Sequence, residues 1–337
     1  MKQFQSKLFA LAVLLWIAFL SPVYAAEPAV PVDAEPKRLL TLELTASSLQ
    51  NNLLNESPRK LLYIYLPPAY YSSAKSYPVV YYYNGFGGQT DISRLAAPTL
   101  DRLIQAGTIQ AFILVCVPGT NSLNGSFLVN SPVTGNWEDF ATRDVIQAID
   151  GKFRTLKQAS SRGIAGFSMG GFAAVNIGLR HPELFSAVYA YCPGLMAPGG
   201  LAKALSDWDT MDNFKAAYGA AFAPNPQLPA PYADIPKLNG TPEDHAVLAK
   251  WENGFGNLEA KIAAYLTKQQ RLKGFRIVYA TRDQYTWIPE GCVYFSKLLN
   301  SAGIPHDLIA ANWVHRLNFP MFEENMYPFF SQNLSTR

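Results

Sequence analysis

The sequence predicts an α/β fold with a mostly parallel central sheet and helices on both faces. From about residue 60 onward, short apolar runs alternate with amphipathic stretches, the order expected of strand–helix–strand units. Those runs are continuously apolar and not alternating, as strands buried on both faces require. A glycine-flanked serine in Gly166-Phe167-Ser168-Met169-Gly170-Gly171 sits between one such strand and a helix-like segment.

The chain of 337 residues opens with Lys2 and Lys7, an unbroken apolar run of 13 residues from Leu8 to Leu20, and small residues at Ala25-Ala26. That pattern predicts a secretory signal peptide over residues 1–26. The run is shorter than the roughly 20 residues a helix needs to cross a bilayer, and no second run of that kind follows, so no stable membrane span is expected. The predicted location is periplasmic or secreted. Residues 27–58 read as an N-terminal leader with first strands, and roughly 300 residues remain after the signal, enough for one large core. A net charge of +3 without a basic block gives no reason to expect nucleic acid as a partner.

Strands are expected at Leu61–Leu66, Val79–Tyr83, Phe112–Val117, Gly163–Ala165, Ser186–Tyr191, Arg276–Tyr279 and Leu308–Ala311. Helix ends are marked by Gly107, by Asn136 as an N-cap before Trp137-Glu138-Asp139, and by Pro289-Glu290 opening a helix that reaches Ser301 and stops at Gly303. These units make one domain over 59–320, with a C-terminal segment at 321–337. Between 194 and 273 the rhythm breaks into an insertion rich in Ala, Pro, Gly and Asn, with a capped helix start at Thr241-Pro242-Glu243-Asp244. A cap over a site and a plain surface excursion are both open readings of it.

Ser168 is the expected nucleophile, because a strand–turn–helix glycine pattern is what exposes a serine hydroxyl at the carboxyl edge of a sheet. A serine needs an imidazole base and an acid to orient it. Of the four histidines, His181 ends the helix after Ser168, His245 lies in the insertion and His306 opens the last strand at its amino edge. His315 follows that strand at the carboxyl edge and is the expected base. Asp283, just after the strand Arg276–Tyr279, is the expected acid; Glu290 is its rival, although the helix dipole explains a glutamate behind Pro289. The amides of Phe86, in the turn Asn84-Gly85-Phe86-Gly87-Gly88, and of Met169 are the expected oxyanion donors, with a plain glycine turn as the alternative for the first. Cys116, Cys192 and Cys292 have no ligand-like spacing and read as small buried hydrophobes, one disulfide being the alternative.

With those residues in hand, the chain resembles the esterase D, or "putative esterase", family of α/β-hydrolases, whose members include feruloyl esterases, S-formylglutathione hydrolases, enterochelin esterases and mycolyltransferases. The resemblance runs from about Leu61 to Phe319. It rests on Tyr65-Leu66-Pro67-Pro68-Ala69-Tyr70 with Tyr77-Pro78-Val79-Val80, on Gly135-Asn136-Trp137-Glu138-Asp139-Phe140, on the Ser168 turn, and on His181-Pro182-Glu183-Leu184-Phe185. It implies an α/β-hydrolase fold, Asp283 and His315 as acid and base, and Phe86 and Met169 as oxyanion donors. Asn84-Gly85 stands where family members often have His-Gly. Arg282 adjoins the acid as a competing cation, and Trp313-Val314 replaces the usual small residues before the base.

The expected activity is hydrolysis of a carboxylic ester, with a small-molecule or carbohydrate-linked substrate such as a feruloyl-type ester, and with no metal or cofactor. Transfer of the acyl group to an alcohol and a catalytically silent binding protein on the same fold are the alternatives.

Overall fold

The computed structural model describes residues 37–337; the signal peptide expected over 1–26 and the start of the leader, up to residue 36, lie outside the described residues. Among the described residues ten strands and eleven α-helices follow in chain order: β1 (Leu39–Thr45), β2 (Arg59–Tyr65), β3 (Val79–Tyr83), α1 (Ser93–Gln105), β4 (Ile113–Val117) and the short hairpin β5 (Asn130–Ser131) and β6 (Gly135–Asn136). Then come α2 (Trp137–Asp139), α3 (Val145–Lys152), β7 (Arg162–Phe167), α4 (Met169–Arg180) and β8 (Ala187–Tyr191). The insertion holds α5 (Gly200–Asp207), α6 (Asp212–Phe222), α7 (Pro242–Phe255) and α8 (Leu258–Leu266). The chain closes with β9 (Gly274–Ala280), α9 (Trp287–Ser301), β10 (Asp307–Ala311), α10 (Phe319–Met321) and α11 (Tyr327–Asn333).

Eight strands form one sheet in the order β1-β2-β4-β3-β7-β8-β9-β10. Pairing is parallel from β4 to β10, and antiparallel only where β2 meets β1 and β4. All five residues of β3, of β4 and of β8 are buried, which is why their sequences carry no polar–apolar alternation. On β8, Val188 packs into α4 at Gly178, while Tyr189 points the other way to Phe329 and Phe330 of α11. One layer of helices therefore covers each face. A Cβ at Gly163 would lie 2.4 Å from the ring of Phe330, so a glycine in β7 is what lets α11 seat against the sheet.

The compact unit spans Lys37–Arg337, so β1 and the C-terminal helix belong to one body. Strand β1 falls within residues 27–58, where first strands were expected without bounds, and as an edge strand it alternates exposed and half-buried residues, with Glu43 and Thr41 facing outward. Helix α9 starts at Trp287, two residues before Pro289, which sits within its first turn and needs no N–H partner there. The helix stops as expected at Gly303, where φ is +64°.

Asn136 does not cap the segment that follows it. The pairing of β5 with β6 places Asn130 opposite Asn136, and it is the Asn130 side-chain oxygen that accepts the amides of Glu138 (2.9 Å) and Asp139 (3.1 Å). The cap is brought by a hairpin and not by the adjacent residue. In the insertion, Thr241 caps α7 as its sequence predicts, accepting the Asp244 amide at 3.3 Å. The four insertion helices close on buried aromatic rings, and Tyr218 at their centre accepts the Phe255 amide (2.8 Å) and donates to the Trp251 carbonyl (2.9 Å).

The end of α4 is tied to α2 by one carboxylate. Glu138 Oε1 accepts Arg180 Nε and His181 Nε2, each at 2.8 Å, and His181 Nδ1 meets Glu183 at 2.9 Å. Burial pushes Glu138 up, but the bonds from His181 and Arg180 outweigh it and hold the carboxyl below its ordinary value. The Glu138 bond raises His181 above its ordinary value, against the effect of burial. A raised folded-state value means that the stability from protonated His181 is complete below the unfolded value of about 6.5 and is lost as pH rises through the folded one. His181→Ala is therefore expected to lower Tm more at pH 6 than at pH 9, read by calorimetry against wild type; an equal drop at both would remove the charge from this account.

Candidate active site

The turn at Ser168 is forced by close packing of backbone on backbone. β7 ends at Phe167, α4 begins at Met169, and Ser168 between them has φ 55° and ψ −114°. A Cβ at Gly166 would stand 2.1 Å from the Gly170 carbonyl oxygen, and one at Gly170 would stand 2.1 Å from the Tyr83 carbonyl oxygen. Both glycines are required for β7 to turn into α4 against β3. The Ser168 amide donates to the Tyr191 carbonyl of β8 at 2.9 Å, which pins the turn from its other side.

Asp283 and His315, 32 residues apart, meet because β9 and β10 run parallel with Ala280 opposite Ala311. Beyond the strands the two loops stay tied: Thr281 N donates to the Ala311 carbonyl (2.9 Å) and Arg282 N to the Trp313 carbonyl (3.0 Å). His315 Nδ1 lies 2.6 Å from Asp283 Oδ2, and His315 Nε2 lies 2.9 Å from Ser168 Oγ. Asp283 has a fully buried side chain, and its second oxygen accepts the Tyr285 amide at 2.9 Å. A buried carboxylate on Nδ1 fixes the tautomer with Nδ1–H, leaving Nε2 to accept from the serine hydroxyl. The imidazole is held between Phe167 (centroids 4.9 Å apart) and Tyr285 (5.3 Å, edge-on).

Arg282 does not compete for this carboxylate. Its side chain is exposed and reaches the Asn312 carbonyl at 3.4 Å, while its amide is spent on the loop. The bulk at Trp313 is accommodated outward, where that side chain is 38% exposed. Glu290 lies at the surface, paired with Lys203 at 2.6 Å. Among the other histidines, His181 is bound to Glu138, His245 is exposed, and His306 bonds Ser296 Oγ at 2.6 Å.

Phe86 and Met169 flank Ser168 on the wall of one cavity, and neither amide donates to another of the described residues. Asn84, 1% exposed, braces the loop that carries Phe86. Its side-chain amide donates to the carbonyls of Gly85 (2.8 Å) and Gly88 (3.1 Å) and to Thr120 Oγ1 (2.9 Å), while its oxygen accepts the Gly119 amide (3.0 Å). Asparagine thus supplies bracing on both sides of the turn. The sequence signal was present as Asn84-Gly85, but the partners 35 and 36 residues away were not readable from it.

The cavity holds about 220 Å³. Trp208, Phe214 and Phe255 of the insertion face it together with Trp287 and Ile288 of α9, giving it a predominantly apolar wall. The three cysteines are buried and free. Cys192, Asp283 and His315 are the one group of three ligand-type side chains among the described residues whose donor atoms lie within 4.8 Å of one another. The donor set suits a metal poorly: burial, then the Asp283 charge, pushes the Cys192 thiol well up, and Asp283 and His315 are already committed to each other.

A family model described as "Putative esterase" matches residues 56–289. The chain belongs to the putative esterase family. An esterase of Mycobacterium tuberculosis is 30% identical over 131 residues, covering 38% of this chain and 28% of its own length. An endo-1,4-beta-xylanase/feruloyl esterase of Xylanibacter ruminicola is 34% identical over 131 residues, covering 36% of this chain and 18% of its own. The match therefore spans less than a third of the length of these curated relatives. Among solved structures, a ferulic acid esterase superposes with TM-score 0.56 at 18% identity, covering 88% of this chain and 98% of its own. An S-formylglutathione hydrolase of Agrobacterium tumefaciens gives 0.58 at 15% identity, with coverages of 88% and 95%. The fold is that of the α/β-hydrolases.

Substitution at the turn tests the packing argument directly. Gly170→Ala is expected to cost at least about 3 kcal/mol, since the methyl meets unyielding backbone. Gly107→Ala, at φ +69° with nothing within 4 Å, is expected to cost only about 1 kcal/mol. Urea denaturation of the two variants gives the comparison, and equal costs would show that the turn can relax.

Proposed function

We propose that this family member is an exported serine esterase that cleaves a carboxylic ester through an acyl-enzyme. The observation that carries the reading is the chain of hydrogen bonds from Asp283 through His315 to Ser168 Oγ, at 2.6 and 2.9 Å. In the proposed reaction Ser168 Oγ attacks the acyl carbon as His315 Nε2 takes its proton. Asp283 holds the imidazole in place and stabilises the cation that forms. The tetrahedral oxyanion receives the amides of Phe86 and Met169, each donor lowering the barrier by roughly 3 kcal/mol. His315 then returns the proton to the leaving alcohol, and water, activated by the same imidazole, releases the acid. An alcohol in place of water would make the site an acyltransferase.

The wall built by Trp208, Phe214, Phe255 and Trp287 supports an uncharged, apolar or aromatic acyl group, since no charged side chain other than those of the Asp283–His315 pair serves the site. Carbohydrate-linked feruloyl-type esters fit that description. Export is supported by the lysines and the 13-residue apolar run at the N-terminus.

The test is reactivity with a fluorophosphonate and turnover of p-nitrophenyl esters by the purified mature chain. Wild type is expected to label and Ser168→Ala to stay unlabelled; no labelling of a folded wild-type sample would sink the reading. Asp283→Asn is expected to bind ester normally while losing roughly 1,000-fold or more in kcat, because the imidazole is left in the wrong tautomer. Turnover within about tenfold of wild type would remove Asp283 from the mechanism.

A further inference from the structure

A second cavity, of about 540 Å³, opens behind the catalytic one, between the end of α4 and the helices α7 and α8. An aromatic partition divides the two. Phe172 and Phe222 line the second cavity and Phe255 the first, with the Phe172 and Phe255 rings 4.8 Å apart. The esterase mechanism uses nothing in this second space.

Its chemistry differs from that of the first. Arg180, His181, Lys261 and Lys268 line it, against Glu138 as the acid. Glu138 is already matched by Arg180 and His181, so cationic charge is in excess. Arg180 spends only Nε on Glu138; its two Nη nitrogens have no acceptor among the described residues. Lys261 Nζ is fixed by the carbonyls of Asn253 and Gly256, each at 2.9 Å, which leaves its third hydrogen unspent. Burial, then the neighbouring Arg180 charge, lowers Lys261 to about 8.

The deciding residue is Asn176. It lines the cavity from the middle of α4, is only 9% exposed, and its amide has no hydrogen-bond partner among the described residues. Because its oxygen and nitrogen open into the cavity and bond no protein group, both are available to a ligand. An asparagine offers both a donor and an acceptor, which suits hydroxyl groups.

We propose that this cavity is a binding site for a small hydroxyl-bearing carboxylate, such as a sugar acid, with the carboxylate between Arg180 and Lys261 and a hydroxyl on Asn176. The site stands independently of the catalytic reading, because it shares no charged residue with Ser168, His315 and Asp283.

Titration calorimetry of the full mature chain with glucuronate, glucose and inorganic phosphate tests it. Glucuronate is expected to bind, and glucose and phosphate each to bind at least about tenfold more weakly, since each lacks one half of the recognised chemistry. Arg180→Gln and Asn176→Ala are each expected to weaken glucuronate about tenfold. Asn176→Ala breaks no existing hydrogen bond, so it stays informative even if Arg180→Gln loosens the tie to Glu138. Labelling Ser168 with a fluorophosphonate beforehand is expected to leave glucuronate binding unchanged. The proposal is overturned if glucuronate gives no saturable heat, if glucose or phosphate matches it, if Asn176→Ala binds like wild type, or if blocking Ser168 abolishes binding.

Discussion

The turn at Ser168 is the constraint on which the rest of the molecule depends. A residue other than glycine at φ 55° persists only where its surroundings over-determine it. Here three strands do so: β7 delivers the residue, β8 accepts its amide through the Tyr191 carbonyl, and β3 presses the Tyr83 carbonyl against Gly170. Because the sheet is parallel at this point, the same three strands also end on one edge. The loops that carry Phe86, Met169 and the hydrogen-bonded pair beyond β9 and β10 therefore converge there.

That convergence is an argument about register. The match of Ala280 with Ala311, continued by the Thr281 and Arg282 amides, sets where Asp283 and His315 stand relative to each other. Slipping β10 by one residue would turn its buried Ala311 to the other face and move His315 by over 3 Å, more than a hydrogen bond can absorb. The buried aromatic layer on the other face, in which α11 seats on Gly163 and Phe322 meets both Tyr82 and Tyr191, fixes the central strands β3, β7 and β8 that carry the Ser168 turn. Packing far from Ser168 thus supports the 2.6 and 2.9 Å contacts at its centre.

Much of this was legible in the residues. Continuous apolar runs located seven of the eight sheet strands, and glycines in the Ser168 turn located the elbow, because each signal is local and physically obligatory. Chain order and strand ends brought Asp283 and His315 forward for the same reason. What stayed hidden depended on partners distant in sequence. The bounds of the edge strand β1 are set by its pairing with β2, Asn130 caps a helix through a hairpin, and the Arg282 side chain turns from Asp283 to the Asn312 carbonyl. The wall that Trp208, Phe214 and Phe255 build around the cavity beside Ser168 belongs to the insertion, where a cap and a surface excursion were equally open because its composition carries no sign of what its aromatic rings would face.

The account makes Ser168 a nucleophile that carries an acyl group, and the most direct measurement is to catch that group in place. Rapid mixing of the mature protein with excess p-nitrophenyl ester, followed by acid quench and mass analysis of the intact chain and its peptides, reads the adduct. A burst of nitrophenol approaching one equivalent, with the acyl mass on the peptide bearing Ser168, is the predicted result. Turnover with no acyl adduct even on the fastest quench, or an adduct on another residue, would contradict it.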